Sequence, residues 1–178
     1  ILEGNADRST DHVEDLVKAR INVRELNDRY IDIIASGLAG SDSIDFIDRA
    51  LKRGYPRIYR RTPAQRIIRL AAENEHYAAD IIQQILQLEQ SYLSELNIIN
   101  SKLLDMTRQY EPQVIRNREI AGQVRRDGGS PQRIEDPTRE VYKDREELGK
   151  RYIEMLRSIL SFDEFLELDG ARRWVPRE

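Results

Sequence analysis

The 178-residue sequence contains no cysteine. Disulfide bridges, thiolate metal ligation and cysteine nucleophiles are therefore excluded at once. Aromatics are scarce at 7%, and the 9 glycines and 6 prolines fall in clusters rather than along the whole chain. Such punctuation suits long helices better than short strands and tight turns. No apolar run approaches the roughly 20 residues that a membrane-spanning helix requires. Excess positive charge is missing too: 29 Lys and Arg stand against 32 Asp and Glu, a net charge of -3. Nothing in the overall balance favours nucleic acid as a partner. Glycine-rich phosphate loops and a nucleophile elbow are absent, since Gly128-Gly129 lacks the Lys-Ser/Thr of a P-loop.

What the sequence does have is charge, 34% of residues, and aliphatic side chains at helical spacing. Leu16, Ala19, Val23, Leu26, Tyr30 and Ile33 recur in alternating steps of three and four, so a helix over 11–38 carries them as one stripe that should face another helix. Thr10 or Asp11, with Glu14, offers its cap. Ser43 opens a short helix over 43–53 with Ile44, Ile47 and Leu51 inward, and Gly54 and Pro56 stop it. Residues 54–61 read as an ordered connector pinned by Tyr55, Ile58 and Tyr59. Thr62, Pro63 and Gln65 start a long helix over 62–111. Its seam is Ile81, Ile85, Leu88, Tyr92, Leu96, Ile99, Leu103, Met106 and Tyr110, with a kink or break near 74 and a stop at Pro112.

From 113 to 136 the periodicity fades around Gly128, Gly129 and Pro131, which predicts a mobile loop. Asp136 and Pro137 restart a helix over 137–160, with Val141, Leu148, Tyr152, Met155 and Ile159 inward, and Ser161 to Glu164 caps a short helix over 162–168. The expected fold is all-α: one domain over 1–178, an elongated antiparallel hairpin or bundle of long amphipathic helices with short connecting helices. A hairpin of so few helices leaves some seam uncovered in a monomer, so a homo-oligomer or a place in a larger complex is expected.

Candidate chemistry is thin. His12 and His76 are the only imidazoles, and neither sits in a spacing that gives two ligands on one face. Glu73 and Asp80 flank His76 at one turn, the one arrangement suggestive of a surface metal site. The carboxylates are spread among arginines along solvent faces, so no cleft-bound acid pair is built. Between Lys52 and Arg69 the chain holds seven cations and no acid. Arg53, Tyr55, Arg57, Tyr59, Arg60, Arg61 and Arg66 are accordingly the candidate partner-binding residues. The competing reading pairs these arginines with Asp42, Asp45 and Asp48 inside the fold.

The stretch Arg61-Thr62-Pro63-Ala64-Gln65-Arg66, together with Arg151-Tyr152 through Ser161 and Phe165, resembles the LTxxQ-motif extracytoplasmic helical proteins of the Spy and CpxP type. The first copy keeps Thr62, Pro63 and Gln65 but has Arg61 for leucine. The second has Ser161 for threonine and Phe162, Asp163 and Glu164 beyond it. The resemblance implies an exported, periplasmic or otherwise extracytoplasmic protein without enzymatic activity, chaperone-like or tied to envelope stress or metal resistance. The start at Ile1 fits a cleaved leader and a trimmed chain equally well. The expectation is a non-enzymatic, cofactor-free helical protein that binds protein partners. Its alternatives are a structural or accessory subunit of a larger complex and a weak helical metal-binding protein.

Overall fold

The computed structural model describes residues 3–132 and 134–175, with side chains from residue 11 onward. All of the regular structure among them is helical. The elements are α1 (Glu3–Gly37), α2 (Ser41–Gly54), α3 (Pro56–Tyr59), α4 (Pro63–Ala72), α5 (Ala79–Arg126), α6 (Arg139–Ile159) and α7 (Phe162–Glu167), followed by a 3-10 helix over Ala171–Trp174. The chain divides into two compact units, one formed by 1–56 and 105–137, the other by 57–104 and 138–178.

The second unit owns the apolar interior. Ile67, Ile68 and Ala71 of α4, Ile85, Tyr92 and Leu96 of α5, and Ile153 and Leu156 of α6 are all buried, with Phe165 of α7 closing the set. Two of its helices, α4 and α7, begin with a side-chain cap. Thr62 caps α4 by accepting from the Gln65 amide at 3.0 Å, with Pro63 in the first turn. Ser161 and Glu164 form a reciprocal capping box on α7. Thr62 and Ser161 therefore both mark helix starts. On α6 the packed stripe is Val141, Leu148, Tyr152, Ile153 and Leu156, while Met155, expected inward, is exposed. Gly149 lets α6 approach α4 closely: a Cβ there would lie 3.3 Å from the Ala64 methyl.

The expected weak point of the long helix is a true break. The chain leaves helix over 73–78 and α5 begins at Ala79, because the Asn74 side chain accepts from the His76 amide at 3.0 Å and so competes with helical bonding. The expected stop at Pro112 and mobile loop over 113–136 are not found. α5 runs through Pro112 to Arg126, and the described residues of 127–132 and 134–138 are non-helical. A proline inside a helix costs about 3 kcal/mol, and α1 supplies contacts on both sides of it within the first unit. Arg24 binds Glu111, and Arg116 grips Glu14 through two bonds of 2.6 and 2.9 Å. The restart also differs from expectation, with Thr138 at the N-cap of α6 and no side-chain cap bond.

In the first unit α1 and the last part of α5 run antiparallel: Glu14 meets Arg116, and Asp28 lies further along α1 yet meets Arg108, at 2.9 Å. Since α1 starts at Glu3, Thr10 and Asp11 are interior helix positions and not caps. The inward face of α1 is not the stripe that its sequence advertises. Val17 and Ala35 are buried and Ile21 and Ile31 half-buried, with Arg24 and Asp28 between them. Val23, Leu26, Tyr30 and Ile33 instead stand 58%, 48%, 56% and 57% exposed.

Candidate functional site

The arginine-rich stretch proves to be divided. The boundary between the two units falls between Pro56 and Arg57, so Arg53 and Tyr55 belong to one unit and Arg57, Tyr59, Arg60, Arg61 and Arg66 to the other. In the first unit Tyr55 is half-buried, with the Arg108 guanidinium 5.6 Å from its ring centroid and Arg108 Nε donating to its hydroxyl at 3.3 Å. Arg53 is exposed. The expected partners in α2 play a small part: Asp48 holds Lys52 one turn away at 2.5 Å, and Asp42 and Asp45 form no ion pair with another described residue.

In the second unit the connector is fixed from outside by a residue that lies beyond the candidate stretch. Arg145 of α6 donates to the carbonyls of Arg57 at 3.1 Å, Ile58 at 2.6 Å and Arg60 at 3.0 Å. Its burial makes the charged form less favourable and pushes its pKa down. Three carbonyl acceptors around one guanidinium compensate for that desolvation. Its signal is legible, since Arg145 sits four after Val141 and three before Leu148, on the packed side of its helix.

Ile58 is buried, and Arg57 lies over the Tyr142 ring at 5.8 Å. Tyr59 is half-buried. Arg60 and Arg61 are exposed and form no ion pair with a described residue. Arg66 binds Asp169 at 2.6 Å.

Arg61, Arg66 and Arg69 border a depression of about 300 Å³ that Gln65, Leu70, Glu73 and Glu89 complete. Its charge is largely spent within the fold. Arg69 donates to Glu73 at 2.7 Å and reaches the buried Glu89 at 3.4 Å, and the hydrogen bond to Glu73, with Glu89 and Glu73 nearby, raises its pKa. With Arg66 directed to Asp169, only Arg61 remains to meet an anion.

No three His, Asp or Glu side chains gather into a metal cage among the described residues. The break over 73–78 takes Glu73, His76 and Asp80 off a single helix face. Glu73 is committed to Arg69, and His76 and His12 are exposed. Among the described residues no helix is long and apolar enough to cross a membrane.

A row of apolar side chains without cover among the described residues lies on α1. Its outward row of Val23, Leu26, Tyr30 and Ile33 keeps the three-four rhythm and remains open to solvent. The sequence identified these residues and assigned them inward. The charged residues of the actual inward face, Arg24 paired with Glu111 and Asp28 with Arg108, keep the helical spacing of Val17, Ile21, Ile31 and Ala35 but interrupt it as an apolar pattern. α2 likewise buries no residue, and Ile44, expected inward, is 70% exposed. Comparison with known protein families, with curated proteins and with solved structures finds no match to this chain.

Proposed function

We propose that this chain is a non-enzymatic binding protein that receives a helical segment of a protein partner along the outward face of α1. The carrying observation is the exposed row of Val23, Leu26, Tyr30 and Ile33, each about half exposed on a folded helix. Single surface leucines are ordinary, but a contiguous apolar stripe marks an interaction site. Its spacing selects the kind of partner. Alternating steps of three and four present side chains at the 3.5-residue period by which one helix meshes with another. Such a seam accepts one helix in one register, which favours a fixed partner, as for a subunit or adaptor, over many unfolded clients. The arginine connector serves the fold in this reading, since Arg145 and Arg66 spend their bonding within the second unit.

Site-specific photo-crosslinking in cells tests it. A crosslinking residue placed singly at positions 22 to 34 should give adducts at 23, 26, 30 and 33 and little at 24, 28 and 31, which turn inward or sideways. Adducts without this period, or none at all, would refute it.

A further inference from the structure

We infer that the helix received by α1 is α1 of a second copy of this chain, in parallel and in register. The inference rests on the reading of α1 given above and adds the identity of its partner. Leu16, Ala19, Val23, Leu26, Tyr30 and Ile33 occupy the two inner positions of successive heptads, and Gly37 completes a seam of about 33 Å at the usual helical rise. Val23 followed by Leu26 is the β-branched and leucine alternation that favours two parallel strands.

The residues flanking the seam decide the partner. On one side lie Asp15, Asn22 and Arg29; on the other lie Arg20, Asn27 and Ile34. In a parallel in-register pair each residue of the first set faces, on the other copy, the residue five positions later. Asp15 then meets Arg20, Asn22 meets Asn27, and Arg29 lies along Ile34. Each contact occurs twice by symmetry, and none brings like charges together. Asp15 and Arg20 are both exposed and neither is paired with another described residue. An antiparallel pair joins each flank to itself: overlapping the whole of Leu16 to Ile33 it brings Arg29 to Asn22 and Arg20 to Asn27 with no opposite-charge pair, and one heptad out of that register it gains Asp15 with Arg29 only by setting Arg20 against Arg20. Ile34, 46% exposed beside the seam, gains cover from the Arg29 stem in the parallel pair alone.

Sedimentation equilibrium of the whole chain at micromolar concentration should give twice the monomer mass. Leu26→Asp with Ile33→Asp should give the monomer mass with unchanged far-ultraviolet dichroism. Asp15→Arg and Arg20→Asp should each weaken self-association about tenfold or more, and mixing the two variants, or joining them in one chain, should restore it. Because the chain has no cysteine, Ala19→Cys and Ile33→Cys report direction: each should oxidise to a disulfide dimer rapidly in the parallel pair, since like inner positions are within bridging distance.

A monomer at all concentrations overturns the inference, as does a dimer that Leu26→Asp with Ile33→Asp leaves intact. If the chain is monomeric but periodic crosslinks join α1 to a different protein, the second copy is wrong and the helix-binding reading stands. If the monomer instead co-sediments with anionic phospholipid vesicles and seam aspartates abolish this, both fall in favour of a membrane surface.

Discussion

The hydroxyl of Thr62 lies 2.5 Å from the phenol oxygen of Tyr92, so one side chain caps α4 and also satisfies the most deeply buried tyrosine of the second unit. Tyr92 in turn meets Tyr152 edge to face, with ring centroids 5.2 Å apart, and Tyr152 donates to Glu95 at 2.7 Å. A start signal read from sequence is thus joined to an interior packing cluster by a single polar contact.

Thr62→Ala should destabilise the second unit by about 1–2 kcal/mol, because it removes the cap and leaves the Tyr92 hydroxyl without that partner. Tyr92→Phe should cost about 1 kcal/mol. The two losses should be less than additive in urea titrations, since they delete the same contact.

Burial pushes the Tyr92 phenol above its ordinary value, and burial aided by the Glu95 carboxylate does the same for Tyr152. A pKa raised in the folded state means that the neutral form is favoured there. The stability this contributes is complete below the unfolded value near 10 and is lost as pH rises through the folded value. Urea midpoints measured from pH 9 upward should fall, and Tyr92→Phe should flatten that fall. Glu95 runs the other way: hydrogen bonds from Tyr152 and Arg151 lower its pKa, so its contribution is present above about 4.5 and fades as acid carries it through the lower folded value.

Arg145→Met keeps the stem of the side chain but removes all three bonds to the connector. We expect a loss on the order of 2–3 kcal/mol, the cost of leaving part-buried carbonyls without a donor. The Arg57 to Arg61 segment should become the first site of tryptic cleavage, read by mass spectrometry of short digests. An unchanged cleavage order would show that Ile58 alone holds the connector.

Pro112→Ala restores a backbone donor inside α5 and relieves the clash with the preceding turn, so the first unit should gain about 1–3 kcal/mol. Gly149→Val should lose about 1–3 kcal/mol in the second unit, because α6 already stands within van der Waals contact of Ala64. Thermal melts followed by dichroism would report both.

The all-helical class, the capped starts at Thr62 and Ser161 and the α5 seam around Tyr92 were legible in the sequence, because capping chemistry and aliphatic spacing are local and leave local marks. Two features were not. Pro112 signals an end by its own chemistry, and only the distant Glu14 and Arg24 show why α5 continues past it. The face of α1 was misassigned for a related reason: apolar spacing says which residues share a side, not whether that side is covered. The candidate arginines were located correctly as a cluster in sequence, yet the chain divides at Pro56 and shares them between two bodies. Arg145, which holds the carbonyls of Arg57 and Arg60, lies more than eighty positions from either.

The inward face of α1 is held by guanidinium and carboxylate pairs at Glu14, Arg24 and Asp28, whereas the interior around Tyr92 is held by apolar burial. Dissolved electrolyte screens the former and leaves the latter nearly untouched. Rising ionic strength should therefore loosen the seat of α1 before it disturbs the packing around Tyr92, whose surrounding ion pairs lie at the surface of that interior.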